Sequence, residues 1–138
     1  MSQPPDPQAL VPENPFKGRK GLARLVQAFH SSLGGLRAAF RHEVAFRQEV
    51  VVAAVLLPVA AFVEVSAAER ALLVGSVFAL LIVELLNSAV ENAIDRIGFE
   101  RHELSKRAKD MGSAAVLLAI VLLGVVWCFI LLPRFLAR

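Results

Sequence analysis

The feature that most constrains this chain is an apolar run from Met111 to Leu132, which contains no charged residue. A helix that crosses the hydrocarbon core of a bilayer needs about 20 apolar residues, and this run is long enough to supply them. The composition agrees, because 57% of the 138 residues are apolar and the mean hydropathy is +0.61. We therefore interpret the chain as a small all-α integral membrane protein.

Two further apolar runs are shorter, and they become long enough to span a bilayer only if polar residues enter them. The first span, predicted over about 44–63, must include Arg47 and Glu49 near its interface. The second span is predicted over about 67–97, which places Glu84 inside a membrane helix. The sequence thus predicts three membrane helices in all.

Local signals indicate where these helices start and end. Ser66 and Glu69 match a capping box at the start of the second span. Gly98 is predicted to end that span in a left-handed conformation. A charged turn follows, and the third span is predicted over about 108–132, closed by Pro133.

The N-terminal part divides into a tail and an amphipathic helix. Five of the seven prolines lie in the first fifteen residues, so residues 1–20 are predicted to form a mobile, Pro-rich tail. Residues 21–41 carry apolar side chains at helical spacing, interleaved with basic and polar ones. We expect this helix to lie along the headgroup layer of the membrane, and the alternative is a helix that packs on the spans and only anchors them. Residues 21–138 then form one membrane domain.

Basic residues set the expected orientation. Lysines and arginines are concentrated before the first span and between the second and third spans, whereas the other two connections hold few of them. Basic loops stay in the cytoplasm, so the N-terminus is predicted to be cytoplasmic. The charge pattern therefore reports topology, and it does not indicate a nucleic-acid partner.

A polar face runs along the second span. Glu84, Asn87, Glu91 and Asp95 recur at helical spacing and fall within an arc of roughly 80° on the helix. An acid in the hydrocarbon region costs about 2.5–3.5 kcal/mol, which makes Glu84 a candidate for function. Asn87 has an alternative role as one partner of an interhelical hydrogen bond.

Charged residues near the membrane surface suggest the rest of a site. Glu43 opens the first span at the depth predicted for Glu91, and two carboxylates together with phosphate oxygens are typical of a Mg²⁺ site. Lys109, beside Asp110, has two interpretations: it marks topology, or it neutralises a phosphate as a point charge. The chain contains neither a G-x-x-x-x-G-K-[ST] loop nor a G-x-G-x-x-G motif. The soluble nucleotide-binding folds that carry these motifs are therefore excluded.

Three sequence segments are distinctive: GLRAAFRHEVAFRQE at 35–49, IVELLNSAVENAIDRIG at 82–98 and HELSKRAKDMGSAAVLLAI at 102–120. Together they resemble the prokaryotic diacylglycerol kinase family, whose members are small trimeric enzymes of the bacterial inner membrane. The resemblance covers roughly Arg24 to Trp127. It implies a homotrimer in which each chain has a surface helix and three membrane spans.

The resemblance also implies roles for individual residues. Glu84 would be the general base that deprotonates a lipid hydroxyl, with Asn87 in support, while Glu43 and Glu91 would hold the Mg²⁺ that accompanies ATP. The residues implied to meet the nucleotide are Arg24, Glu43, Glu91, Glu100, His102, Lys109 and Asp110. The residues implied to meet the lipid are Arg24, Ser32, Arg47, Gln48, Glu49, Glu84, Ser113 and Trp127.

The expected activity is the ATP-dependent phosphorylation of diacylglycerol to phosphatidic acid at the cytoplasmic face of the inner membrane. Within the same family, an undecaprenol kinase would use the same carboxylates on a different lipid. A protein without enzymatic activity, in which Glu84 titrates in a proton or cation pathway, is the alternative from another class. Such a pathway would need neither the Glu43 and Glu91 pair nor Lys109.

Overall fold

The computed structural model describes residues 21–98 and 102–136, which fold almost entirely into helices, so the predicted all-α class is confirmed. The predicted tail over residues 1–20 and the predicted site residue Glu100 lie outside the described residues. The chain divides into two compact units between Leu36 and Arg37. The helices are α1 (Leu22–His42), α2 (Val44–Phe62), α3 (Ala67–Ile97) and α4 (Glu103–Leu136).

Three of these helices, α2, α3 and α4, are long and apolar enough to cross a membrane. The N-terminal unit contains the first turns of α1, whose apolar side chains are exposed. Leu25, Val26 and Phe29 line a shallow apolar groove there, together with Ala28 and Ser32.

Helix α3 is the centre of the second unit, because it packs against both α2 and α4. The buried residues of α2 are seven apart, at Phe46, Ala53 and Ala60. On α4, Gly112 and the buried Ala119 are also seven apart. The small residues among them, Ala53, Ala60, Gly112 and Ala119, let the helix backbones approach closely.

The joint between α1 and α2 is a single residue, Glu43, with extended backbone (φ −99°, ψ 118°). Its N–H still donates to the carbonyl of Ala39 at 2.8 Å. The guanidinium of Arg47 donates to the carbonyls of Phe40 and Arg41 at 3.3 and 3.1 Å. Arg47 thereby satisfies acceptors that the end of α1 would otherwise leave free.

The connection between α2 and α3 confirms the predicted capping box. Ser66 Oγ accepts from the N–H of Glu69, and the carboxylate of Glu69 accepts from the N–H of Ser66 at 2.8 Å. The guanidinium of Arg70 donates to the carbonyls of Ala60, Ala61 and Val63, which lie at the end of α2. Residues of α3 therefore cap both sides of this turn.

An apolar cluster closes the same end of the helix bundle. Ala60, Leu73 and Ile130 are buried together, one from each of α2, α3 and α4, and Trp127 packs against them. Next to the cluster, Arg134 of α4 forms an ion pair with Glu69 at 2.9 Å. This end of the unit is therefore held by both apolar and charged contacts between helices.

The end of α3 differs from the prediction. Gly98 follows the helix with φ 162° and ψ 156°, which is extended backbone, so the expected left-handed conformation was wrong. Val63 leaves α2 in the same way, with φ −66° and ψ 141°. Both helices end because the chain becomes extended, and no reversal of φ is required.

Helix α4 is longer at both ends than the predicted 108–132. It begins at Glu103 because His102 acts as its cap: the N–H of Leu104 donates to His102 Nδ1 at 3.2 Å. It also continues through Pro133, which was expected to close it. The guanidinium of Arg134 donates to the carbonyl of Ile130, which adds a side-chain bond to the last turn of the helix.

Candidate functional site

The candidate site lies on the polar face of α3, where five polar residues occupy successive turns. Glu84 and Ser88 are buried, with 4% and 6% of their surface exposed, and Asn87 and Glu91 are half-buried. Asn92 lies beside Ser88 at the exposed edge of this face. Since α3 packs against two helices, the face is held between α2 and α4.

Glu84 is the most buried carboxylate of the site. The negative charges of Glu43 and Glu91 repel the charge of Glu84, and the charge of Glu84 in turn repels that of Glu49 on α2. One oxygen of Glu49, Oε2, is buried and has no hydrogen-bond partner within the described residues. Like charges gathered at low exposure repel each other unless a cation or a proton compensates them. This group of carboxylates is therefore suited to binding a cation or transferring a proton.

Asn87 holds Glu91 and packs tightly against α4. Its Nδ2 donates to Glu91 Oε1 at 3.2 Å, and its Oδ1 is buried with no partner among the described residues. A Cβ atom at Gly112 of α4 would clash with Asn87 Oδ1 and lie 3.3 Å from Cγ. A side chain at position 112 would therefore displace the Asn87 amide from its place against α4.

Asn92 plays the corresponding role for Glu43, although sequence analysis did not single it out. Its Nδ2 donates to Glu43 Oε1 at 2.9 Å and to the carbonyl of Ser88 at 2.7 Å. The sequence signal that could have found it is position: Asn92 is eight residues after Glu84, or about 80° around the helix, at the edge of the polar face.

Lys109 and Asp95 form an ion pair between α4 and α3, with Nζ 2.5 Å from Oδ1. Both side chains are partly exposed, at 37% and 50%. The pair gives Asp95, whose role the sequence left open, a specific partner. It also places the ammonium group of Lys109 two turns of α3 beyond Asn87, near the end that carries the carboxylates.

The donors at this end suit a magnesium ion that brings other ligands with it. Among the residues that the structure describes, no three acidic, histidine or cysteine side chains lie close enough together to hold a metal. Glu43 and Glu91 are nevertheless each oriented by an asparagine amide that engages only Oε1. Mg²⁺ commonly takes one or two carboxylates and completes its shell with waters and phosphate oxygens. The predicted pair has the donor chemistry for that arrangement.

The remaining predicted residues are distributed more widely. Asp110 and Ser113 are exposed on α4, and Gln48 is exposed on α2. His102 is engaged in capping α4. Trp127 lies in the apolar cluster with Leu73, which is eleven residues, or about 16 Å along α3, from Glu84.

The two predicted residues in the N-terminal unit lie on α1. Arg24 is exposed, and Ser32 Oγ donates to the carbonyl of Ala28 at 3.0 Å. Of all the predicted site residues, five lie close to one another: Glu43, Glu49, Glu84, Asn87 and Glu91. Trp127 lies apart from this group, in the apolar cluster.

These features define a class: a small helical protein with three candidate membrane spans and a group of carboxylates and amides on its central helix. Comparison with known proteins identifies the family within that class. The family model for prokaryotic diacylglycerol kinase matches residues 30–131.

Curated relatives match along most of the chain. A "Diacylglycerol kinase" of Pseudomonas aeruginosa is 54% identical over 119 residues, covering 86% of this chain and 97% of the relative. One of Escherichia coli K12 is 50% identical over 115 residues, covering 83% and 94%. One of Helicobacter pylori strain 26695 is 39% identical over 117 residues, covering 85% and 91%.

The chain belongs to the prokaryotic diacylglycerol kinase family. The resemblance indicated by the three sequence segments is confirmed, and with it the expectation that the chain is an enzyme of the kinase class.

Proposed function

We propose that the chain transfers the γ-phosphoryl group of ATP to the hydroxyl of diacylglycerol and so produces phosphatidic acid. The observation that carries the proposal is the buried Glu84, surrounded by Glu43, Glu49 and Glu91, in a chain whose relatives are named for this activity. Phosphoryl transfer depends on positioning and charge neutralisation, and the site offers groups for both.

Glu84 is the proposed general base. Its carboxylate accepts the proton of the lipid hydroxyl as the hydroxyl oxygen forms its bond to the γ-phosphorus. The bond between that phosphorus and the β,γ-bridging oxygen breaks, and ADP leaves with the electron pair. A base on a membrane helix suits a substrate whose tails lie in the hydrocarbon and whose hydroxyl lies near the headgroup layer.

Glu43 and Glu91 would hold Mg²⁺, which supplies neutralisation of the phosphate charge when it is bound. The amides of Asn87 and Asn92 orient these two carboxylates. Lys109, paired with Asp95, would meet a phosphate as a point charge. Arg24, Glu100, His102 and Asp110 complete the proposed nucleotide contacts.

The lipid would be held by residues of α1, α2 and α4. Glu49 is the best supported of these, because it shares the electrostatic environment of Glu84. Arg24, Ser32, Arg47, Gln48, Ser113 and Trp127 are further proposed contacts. The exposed apolar face of α1 favours a position along the headgroup layer.

The proposed setting is a homotrimer in the bacterial inner membrane, with the N-terminus in the cytoplasm. The clustered basic residues support this orientation, because basic segments remain on the cytoplasmic side. The site then faces the compartment that contains ATP.

Transfer of radiolabelled phosphate from ATP to a panel of lipids tests the proposal. We expect diacylglycerol to be labelled faster than undecaprenol by the purified protein in mixed micelles with Mg²⁺. Faster labelling of undecaprenol would make the chain an undecaprenol kinase. If neither lipid were labelled while Glu84 supported proton or cation flux in vesicles, the kinase assignment would be wrong.

A further inference from the structure

Asn92 links two helices at the end of α3 that carries the carboxylates. Its amide nitrogen donates one bond within α3, to the carbonyl of Ser88 at 2.7 Å, and one to Oε1 of Glu43, the N-cap residue of α2, at 2.9 Å. An amide has two N–H groups, so these two bonds use both of them. The bond to Ser88 fixes the amide on its own helix, and the fixed amide then holds the carboxylate of another helix.

Glu43 needs such a support because its own helix does not orient its side chain. It is the N-cap residue of α2, yet its carboxylate makes no capping hydrogen bond. It is also the only non-helical residue between α1 and α2. The direction of its carboxylate is therefore set from α3.

The chemistry of an amide suits this task. A neutral donor orients a carboxylate while leaving its negative charge available, whereas a lysine or arginine here would neutralise that charge. Asn92 engages Oε1 of Glu43, and Oε2 takes no part in that bond. Asn87 also donates to a single carboxylate oxygen, Oε1 of Glu91, but that bond lies within α3.

We infer that Asn92 is a positioning residue that sets the Glu43 carboxylate for the divalent cation that accompanies the nucleotide. The inference rests on the proposed function, since that function gives Glu43 its metal. Asn92 acts through Glu43 and does not touch the reacting atoms. Partners that orient metal-binding side chains commonly change metal affinity by about 10- to 100-fold when they are removed.

Asn92→Ala is the primary test, with two readouts on the full-length protein. One is the binding of a fluorescent ATP analogue at equilibrium as Mg²⁺ is titrated, and the other is lipid phosphorylation over the same Mg²⁺ range. We expect the Mg²⁺ concentration at half-maximal signal to rise about tenfold in both. The value of kcat at saturating Mg²⁺ should stay within about twofold of that of the unmodified protein.

Ala93 provides a matched control, because it is exposed and lies next to Asn92 on the same helix. Ala93→Asn alone should leave the Mg²⁺ midpoint unchanged. Combining Asn92→Ala with Ala93→Asn keeps the amide but moves it by about 100° around the helix, so this variant should behave like Asn92→Ala. Recovery of Mg²⁺ affinity in the combined variant would overturn the inference.

Two further results would also overturn it: an unchanged Mg²⁺ midpoint in Asn92→Ala, or a fall in kcat at every Mg²⁺ concentration with no shift in midpoint. The second result would indicate a purely structural role. If the unmodified protein labelled no lipid but its Mg²⁺-dependent nucleotide binding still shifted in Asn92→Ala, the proposed function would fail and the role of Asn92 would stand.

Discussion

At the scale of single residues, Glu84 and Glu91 share one face of α3 but have different surroundings. Glu84 is buried against the neighbouring helices, whereas Glu91 is half-buried and accepts a hydrogen bond from Asn87. Seven residues separate them, which is about 10 Å along the helix. The proposed proton-accepting role of the inner residue and the proposed metal-binding role of the outer one suit these positions.

Glu84→Gln and Glu91→Gln should separate the two roles. Loss of a general base lowers turnover by about 10²- to 10⁴-fold, so Glu84→Gln should lose kcat and keep its affinity for Mg-ATP. Glu91→Gln should instead raise the KM for Mg-ATP. Steady-state kinetics and nucleotide binding measure both effects. Near-normal turnover in Glu84→Gln would disprove the base assignment.

Gly112 offers a test of the packing around Asn87. A methyl group at this position would displace the Asn87 amide and with it the bond that orients Glu91. We expect Gly112→Ala to lower kcat/KM by about 10- to 100-fold, since small displacements in a site have effects of this size. Gly124→Ala is the control, because a Cβ there meets nothing within 4 Å. Equal activity in the two variants would show that the close approach is not needed.

The sequence was sufficient to predict Glu84, Asn87 and Glu91 as one group, because helical periodicity alone places them on one face. It was not sufficient for Asn92, whose partner Glu43 is 49 residues away. The pairing of Lys109 with Asp95 also depends on how α4 packs against α3. Contacts of this kind follow from tertiary structure, which local spacing does not encode.

At the scale of the helices, apolar length and one capping box were enough to predict three spans. The ends of α4 were missed for a specific reason: His102 and Arg134 each extend the helix through side-chain bonds to its backbone. Arg134 further joins α4 to α3 through Glu69, which also caps α3. Substitutions can separate these two roles of Glu69.

Glu69→Gln should remove the ion pair and keep the capping box, because glutamine can replace glutamate in that motif. We expect only a small fall in the free energy of unfolding in detergent, as is typical of partly exposed pairs. Arg134→Gln should cost more than Glu69→Gln, because it also removes the bond to the Ile130 carbonyl, and the double variant should add little to Arg134→Gln alone. Fully additive losses in this double-mutant cycle would show that the two side chains do not interact.

Ser66→Ala is the complementary variant, because it removes the cap and leaves the ion pair. Loss of an N-cap side chain costs about 0.5–2 kcal/mol. We expect the cap to contribute more to stability than the ion pair. A smaller loss of unfolding free energy in Ser66→Ala than in Glu69→Gln would contradict this.

At the scale of the whole molecule, most large apolar side chains of α2 and α4 are exposed on the single chain. Lipid and neighbouring subunits are the two surroundings that such surfaces require in a membrane. The predicted homotrimer would bury part of this surface between its subunits. The sequence gives no way to divide the surface between the two, because lipid-facing and subunit-facing residues are equally apolar.

Basic residues at one end of the helices are bound to other groups of the protein, whereas those at the other end are exposed. This difference predicts the orientation of the chain in the membrane. At the end with the apolar cluster, Arg70 is bound to carbonyls of α2 and Arg134 to Glu69. At the other end, Arg96, Lys106 and Arg107 are exposed. The exposed cations belong on the cytoplasmic side under the positive-inside rule.

Cysteine labelling of intact cells tests this orientation in a Cys128→Ala background, which removes the one native, exposed thiol. Glu64→Cys, in the connection between α2 and α3, should react with a membrane-impermeant maleimide from outside the inner membrane. Lys106→Cys, near the start of α4, should react only after that membrane is permeabilised. Both positions are exposed in the protein, so a difference in labelling reports the side of the membrane. The reverse pattern would place the carboxylates away from cytoplasmic ATP and would be incompatible with the proposed kinase.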